Sequence, residues 1–223
     1  MTPQELCHLH PFLAALTEAE RRELLKHAHV RRLKADDIVF RKDDPGDGLY
    51  GVLAGRVVVT VQSVDGKELI LNMFGAGEFF GEIALLDGKG RTATATAREP
   101  SELLFLSRAA FLPFLRQHHE AAVRIIAFLC ERLRRTTGMV EDSAFLNVST
   151  RLAKQLAVLA GLTTSPATAI RLSQEELAQT LGVSREVVSR QLAVWRDAGV
   201  VELGRGRIVV RDPAALDRIV AGG

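Results

Sequence analysis

One short string concentrates the residues able to do chemistry. In Gly77-Glu-Phe-Phe-Gly-Glu-Ile-Ala-Leu-Leu-Asp-Gly-Lys-Gly-Arg-Thr-Ala93, a carboxylate (Glu82), a guanidinium (Arg91) and a hydroxyl (Thr92) lie within eleven positions of one another. Gly81 permits close backbone approach, and Glu82 to Leu86 suits one helical turn. The outward N–H groups of its start, at Glu82, Ile83 and Ala84, favour an anion. Arg91 adds a donor fork and Thr92 one more donor, so one phosphate fits. Glu82 would repel that phosphate and therefore needs a hydroxyl donor, such as a ribose 2′-OH beside it. The residues alone leave a second reading equally open, an exposed Arg91–Glu82 ion pair worth at most about 1 kcal/mol.

A second constellation lies near the C-terminus. Ser173-Gln-Glu-Glu176 spells a capping box for a helix that runs to Leu181, Gly182 closes it, and Ser184 caps a second helix reaching about Ala198 before Gly199. A small Ala178 and an apolar Val188 flank the turn, which is the pattern of a helix-turn-helix. Arg185, Glu186 and Arg190 fall on the exposed N-terminal half of the second helix. Arginine can bridge guanine O6 and N7, and glutamate can accept from cytosine N4, so double-stranded DNA is the expected partner. Val200, Val201, Gly204-Arg-Gly-Arg207 and Ile208-Val-Val210 read as a β-hairpin wing.

The elements that must hold these groups follow from texture. Thr17 and Glu20 form a capping box for a helix over 17–28, with Leu24, Leu25 and Ala28 on one face. From about 34 to 106, Gly-containing turns interrupt short β-branched and apolar runs roughly every ten residues, including Val57, Val58, Val59 and Val61. The last run is Leu103 to Leu106. That spacing predicts a sandwich, jelly roll or barrel. A helical region begins near Ser107. From Ala121 to Phe145 the only Gly is Gly138 and there is no Pro, so one long helix is expected. Its apolar positions Ile126, Leu129, Leu133, Val140 and Ala144 form an a/d-like seam, which points to a homodimer, with packing on the β-domain of its own chain as the alternative. Arg151 to Leu159 is amphipathic, and Thr163 to Thr168 is a polar loop. The division expected is a β-domain with its N-terminal helix (1–120), a dimerisation helix and hinge (121–146) and a DNA-binding domain (147–223).

Composition sets the outer bounds. With 223 residues, 47% hydrophobic and 25% charged, the chain is globular, and no stretch approaches the apolar length of a membrane span. The N-terminus shows neither a basic leader nor an apolar run of signal-peptide length, so a cytosolic chain is expected. From Asn147 to Gly223 there are 10 basic against 7 acidic residues, and in residues 1–146 there are 19 against 20, so the positive excess is C-terminal. That suits an anionic partner, since phosphate attraction is long-ranged. Cys7 and Cys130 make no metal-site spacing. His8, His10, His27, His29, His118 and His119 all fall outside the expected β region, which argues against a cupin-like metal centre or haem. No nucleophile, base and oxyanion set is present, so no catalysis is expected.

Taken in order, GEFFGEIALLDGKGRTATATA, DGLYGVLAGRVVV, SAFLNVSTRLAKQLAVLA and LSQEELAQTLGVSREVVSRQL resemble the cyclic-AMP receptor protein (CRP/FNR) family of bacterial transcription regulators across nearly the whole chain. The resemblance implies an α+β chain with a jelly-roll-like β-roll that binds a cyclic nucleotide, a long dimerisation helix and a winged helix-turn-helix. It implies cyclic AMP as allosteric ligand; the alternative is the same fold responding to cyclic di-GMP or another metabolite, or binding DNA constitutively. Gly81, Ile83 and Ala84 would then contribute to the phosphate turn, Glu82 would accept from the ribose, Arg91 and Thr92 would hold the phosphate, and Thr136 and Thr137 would read adenine. Thr136 would face the ligand of its own subunit and Thr137 that of the partner. On DNA it implies a half-site like TGTGA read by Ser184, Arg185, Glu186, Ser189 and Arg190, two recognition helices about 34 Å apart, and contact with RNA polymerase through the Gly161–Ala169 loop. Ser189 also stands where the oxygen-sensing branch has serine. Two departures are a Glu82–Arg91 loop one residue shorter than in the founding member and Gln191 at a usually apolar position.

Overall fold

The computed structural model describes residues 1–9, 11–14, 16–161 and 169–222; the expected polar loop at Thr163 to Thr168, with most of the expected polymerase contact, lies outside them. In chain order the elements are α1 (Pro3–Leu9), α2 (Pro11–Ala14), α3 (Glu18–Leu25), β1 (Ala28–Leu33), β2 (Ile38–Phe40), β3 (Gly48–Ala54), β4 (Val57–Gln62), β5 (Glu68–Phe74), β6 (Phe79–Phe80), α4 (Glu82–Asp87), β7 (Thr94–Ala97), β8 (Ser101–Ser107), α5 (Arg108–Gln117), α6 (His119–Phe145), α7 (Val148–Gly161), α8 (Gln174–Leu181), α9 (Arg185–Asp197), β9 (Val201–Gly204), β10 (Arg207–Val210) and α10 (Pro213–Ala221). The chain forms two compact units, residues 1–62 with 71–134, and residues 63–70 with 135–223.

The first unit is built on two four-stranded sheets, β1-β8-β3-β6 and β2-β7-β4-β5. Pairings β1–β8, β3–β8, β3–β6, β2–β7 and β4–β7 are antiparallel. Side chains alternate across a strand, and β3 and β8 are apolar on both faces. Tyr50, Val52, Leu103 and Phe105 join Val39, Val57, Phe74, Phe80 and Ala95 in a core between the sheets. Leu49, Leu53, Leu104 and Leu106 point the other way, onto Leu6, Leu13, Leu24, Phe111, Phe114, Ala121 and Ile125. Burial on both faces explains why β8 reads as an unbroken apolar run rather than an alternating one.

The expected helix over 17–28 is corrected at its end. Its capping box forms with both bonds, but the helix stops at Leu25 and Lys26 closes it. Ala28 already pairs with Leu106 as the start of β1. Cross-strand pairing over six residues overrides a weak local strand signal here. His29 therefore lies on a strand, against the expectation for all six histidines, and its ring lies 4.9 Å from that of Phe105. No group of three or more His, Cys, Asp or Glu able to hold a metal occurs among the described residues. No described helix is long and apolar enough to cross a membrane.

Helices α1 and α2 give no clear sequence signal, yet Leu6 and Cys7 of α1 are buried in the outer core. Burial pushes the Cys7 thiol up to about 11, with the Arg21 charge opposing. Cys130 is exposed. Because the thiolate is the reactive form, a disulfide-exchange reagent at pH 8 should titrate one thiol in the folded protein and the second only after denaturation. Rapid reaction of two thiols in the native protein would contradict this.

Helix α6 has two apolar faces. Ala121 and Ile125 are buried and Leu129 is partly buried against the outer core, so Leu129 leaves the expected seam. Ile126, Leu133 and Val140, spaced by sevens, remain 61%, 67% and 65% exposed.

The second unit holds the C-terminal part of α6, α7–α10 and a two-stranded sheet. Ser173 and Glu176 complete their capping box, and Gly182 closes α8 with φ 65°. Ala178 and Val188 are fully buried where α8 and α9 cross. β9 and β10 form the hairpin, Val201 opposite Val210, and Ile170 bridges to Ile208 beside it. Helix α10 packs on α7.

Candidate ligand site and DNA-facing helix

The site in the first unit starts from Gly81, the residue between β6 and α4. Its φ of 84° is left-handed, and a Cβ there would lie 2.7 Å from Arg91 Nη1; only glycine meets both demands. Arg91 is drawn into the protein with its side chain 1% exposed. Nη1 donates to Gly81 O at 2.8 Å, and Nη2 donates to Gly48 O at 2.8 Å and to Asp47 Oδ1 at 2.6 Å. The guanidinium lies 4.2 Å from the centroid of the Phe40 ring. Its backbone is tied on both sides as well, Arg91 N to Asp44 O and Asp43 N to Arg91 O, each at 2.8 Å.

Glu82 has a different cation. Arg132, projecting from α6, donates Nη1 to Glu82 Oε1 at 2.6 Å, and the Glu82 side chain is 7% exposed. The Arg132 guanidinium lies 5.2 Å from the centroid of the Phe74 ring and 5.7 Å from that of Phe128. The exposed Arg91–Glu82 pair allowed by the sequence is thus not the arrangement: both groups are buried, each with its own partner. Sequence reasoning missed Arg132, although it stands four residues before Thr136 and so on the same helical face.

Glu82, Arg91, Arg132, Gly81, Ile83, Ala84 and Thr92 line one cavity of about 60 Å³, walled by Phe40, Val59, Phe74 and Phe80. Two of its polar atoms, Arg91 Nε and Glu82 Oε2, are buried without a hydrogen-bond partner. A buried orphan is unfavourable by about 1–3 kcal/mol. One orphan is a donor and the other an acceptor, so the cavity calls for a group that accepts at one end and donates at the other. Thr136 and Thr137 are exposed on α6 and are not among the lining residues.

In the second unit α9 presents Arg185, Glu186 and Arg190 to solvent and half-buries Ser189. Ser184 takes the N-cap backbone conformation, with no hydroxyl bond to a helix N–H. Its hydroxyl instead serves Glu186, whose carboxyl is held below the usual range first by its own backbone N–H, then by Ser184, with the Arg185 charge adding a smaller effect. Arg185 and Arg207 also line a groove of about 270 Å³ between the start of α8 and the hairpin. Those two cations suit phosphate oxygens.

Comparison with known proteins agrees with both halves. Residues 30–118 match the cyclic nucleotide-binding domain and residues 150–219 the Crp-like helix-turn-helix domain. The chain is 38% identical over 184 residues to the cyclic AMP receptor protein of Thermus thermophilus, covering 82% of this chain and 84% of that one. It is 34% identical over 185 residues to a CRP-like cAMP-activated global transcriptional regulator of Mycobacterium tuberculosis, covering 81% and 83%. Among solved structures, the c-di-GMP responsive global regulator CLP of Xanthomonas campestris superposes with a TM-score of 0.75 at 30% identity, covering 88% of this chain and 100% of that one. A cyclic-nucleotide domain followed by a Crp-like helix-turn-helix, with relatives aligned across more than four-fifths of the chain, makes this protein a member of the CRP/FNR family of transcription regulators.

Proposed function

We propose that the protein is a cyclic-AMP-responsive, sequence-specific transcription regulator that acts as a homodimer in the cytosol and has no catalytic role. The observation that carries the ligand reading is the pair of opposed orphans in one cavity, Arg91 Nε and Glu82 Oε2. A cyclic nucleotide meets both demands: its phosphodiester oxygen accepts from Arg91, and the neighbouring ribose 2′-OH donates to Glu82. Thr92 and the α4 start add donors, and Thr136 and Thr137, the latter from the partner subunit, read the base.

The cavity of about 60 Å³ is far below the roughly 300 Å³ at which ligand pockets begin. Arg132 must therefore swing off Glu82 for a nucleotide to enter. Because Arg132 rides on α6, that displacement couples ligand to the helix carrying the exposed Ile126, Leu133 and Val140. The ligand shifts the population toward dimers whose two α9 helices are in register on a near-palindromic duplex, with Ser184, Arg185, Glu186, Ser189 and Arg190 at the bases. RNA polymerase is the expected further partner.

Coupling of this kind is reciprocal. DNA affinity measured at one fixed salt concentration, with and without cyclic AMP, should rise with the nucleotide, and operator DNA should tighten cyclic AMP by the same factor. An identical DNA affinity in both conditions would defeat the mechanism. The likeness to a c-di-GMP responsive regulator motivates a second reading with that dinucleotide as effector, and calorimetric titration of both nucleotides separates the two.

A further inference from the structure

We propose that Asp47 is a specificity-determining positioning residue, a charge filter that makes the Arg91 anion subsite accept a monoanionic phosphodiester and turn away a dianionic phosphate monoester. The inference rests on the cyclic-nucleotide reading of the cavity and extends it to a residue outside the cavity lining.

Asp47 Oδ1 lies 2.6 Å from Arg91 Nη2, so the guanidinium of the anion subsite already has a counter-charge from its own chain. Glu82 and Arg132 form the second pair, 2.6 Å apart. Two cations and two carboxylates therefore surround the cavity and sum to no net charge. A ligand bearing one negative charge can use the unpaired Nε–H of Arg91. A second negative charge meets no uncompensated cation, and Asp47 repels it. The loop that delivers Asp47 adds Asp43 and Asp44, and both are tied by backbone bonds to Arg91 itself.

The geometry also fixes how Asp47 acts. Nε and Nη2 share one edge of the guanidinium, and Nη2 is held by Asp47 and by Gly48 O at 2.8 Å. The fork is therefore half engaged and locked in orientation, with its Nε–H left free. A tight loop keeps the carboxylate in place: Asp43 has a left-handed φ of 69°, and a Cβ on Gly46 would lie 2.3 Å from Ala84 O. The Asp47 side chain itself is 60% exposed, so water screens its charge and the filter has modest height.

Replacing Asp47→Asn separates charge from positioning, because the amide oxygen can still accept from Nη2. The full-length protein is loaded with a fluorescent cyclic-AMP analogue, which is then displaced by cyclic AMP or by the linear 5′-monophosphate of the same nucleoside. For Asp47→Asn the preference for cyclic AMP over the linear monophosphate should shrink about tenfold relative to the parent, the scale of one partly screened charge. Asp47→Glu, which restores the charge, should restore the preference. A preference unchanged by Asp47→Asn, or both affinities moving by one common factor, overturns the filter and leaves the nucleotide reading standing. A parent protein that binds neither the analogue nor either nucleotide overturns both.

Discussion

Arg91→Leu is expected to weaken cyclic-AMP binding by about 1.5–3 kcal/mol, the scale of a charged hydrogen bond, which is roughly ten- to more than a hundredfold in dissociation constant. The variant also removes three donated bonds. Gly48 O and Gly81 O lose a buried partner, and an unsatisfied buried acceptor is unfavourable by about 1–3 kcal/mol. The unliganded variant should therefore melt at a lower temperature, and calorimetric titration must be run below its transition. Arg91→Lys guards against a folding failure: it retains the cation, but its three N–H groups radiate from one nitrogen and cannot serve Gly48 O, Gly81 O, Asp47 and a phosphate together. It should bind more weakly than the parent while staying folded. An unchanged dissociation constant in either folded variant would remove Arg91 from the phosphate role.

Leu133→Glu should convert the dimer to monomer at micromolar concentration and abolish operator binding. Leu133 is 67% exposed in the protomer, so the substitution barely touches the core of its own chain. In a two-fold pair the same position recurs on both subunits, and two carboxylates would face each other across a desolvated seam. Juxtaposed like charges of this kind are unfavourable by several kcal/mol. Sedimentation velocity reads the assembly state and a melting curve reads the fold. A dimer that survives the substitution would place the subunit contact elsewhere, whereas a monomer with the parent's melting temperature supports the seam. Ile125→Glu, by contrast, faces the outer core and should unfold the first unit.

The parts legible in the sequence are those decided within a few residues. Both capping boxes, Thr17 with Glu20 and Ser173 with Glu176, form as spelled, because an N-cap and its N3 residue need nothing beyond one helical turn. Gly81 sits where the chain needs a left-handed turn, and the β-branched run at Val57 forms β4. What stayed hidden depends on contacts between distant positions. Asp47 and Arg91 are 44 residues apart, and Glu82 and Arg132 are 50 apart; neither spacing has a local signature. Leu129 reads as part of a seam, since period alone cannot say which of two cores an apolar helix face will meet. The early start of β1 was likewise set by β8, almost eighty residues downstream.

The two unpartnered atoms in the β-roll cavity bear on how such a protein can evolve. A fold that leaves a buried guanidinium N–H and a buried carboxylate oxygen without a partner in the protein has less margin than its core would allow. Substitutions that fill or neutralise the cavity would recover that margin and, if the proposed nucleotide binds there, would at the same time silence the response to it. Heat tolerance and sensitivity to a signal then pull on the same few side chains, so a lineage pressed only for robustness would drift toward a deaf regulator.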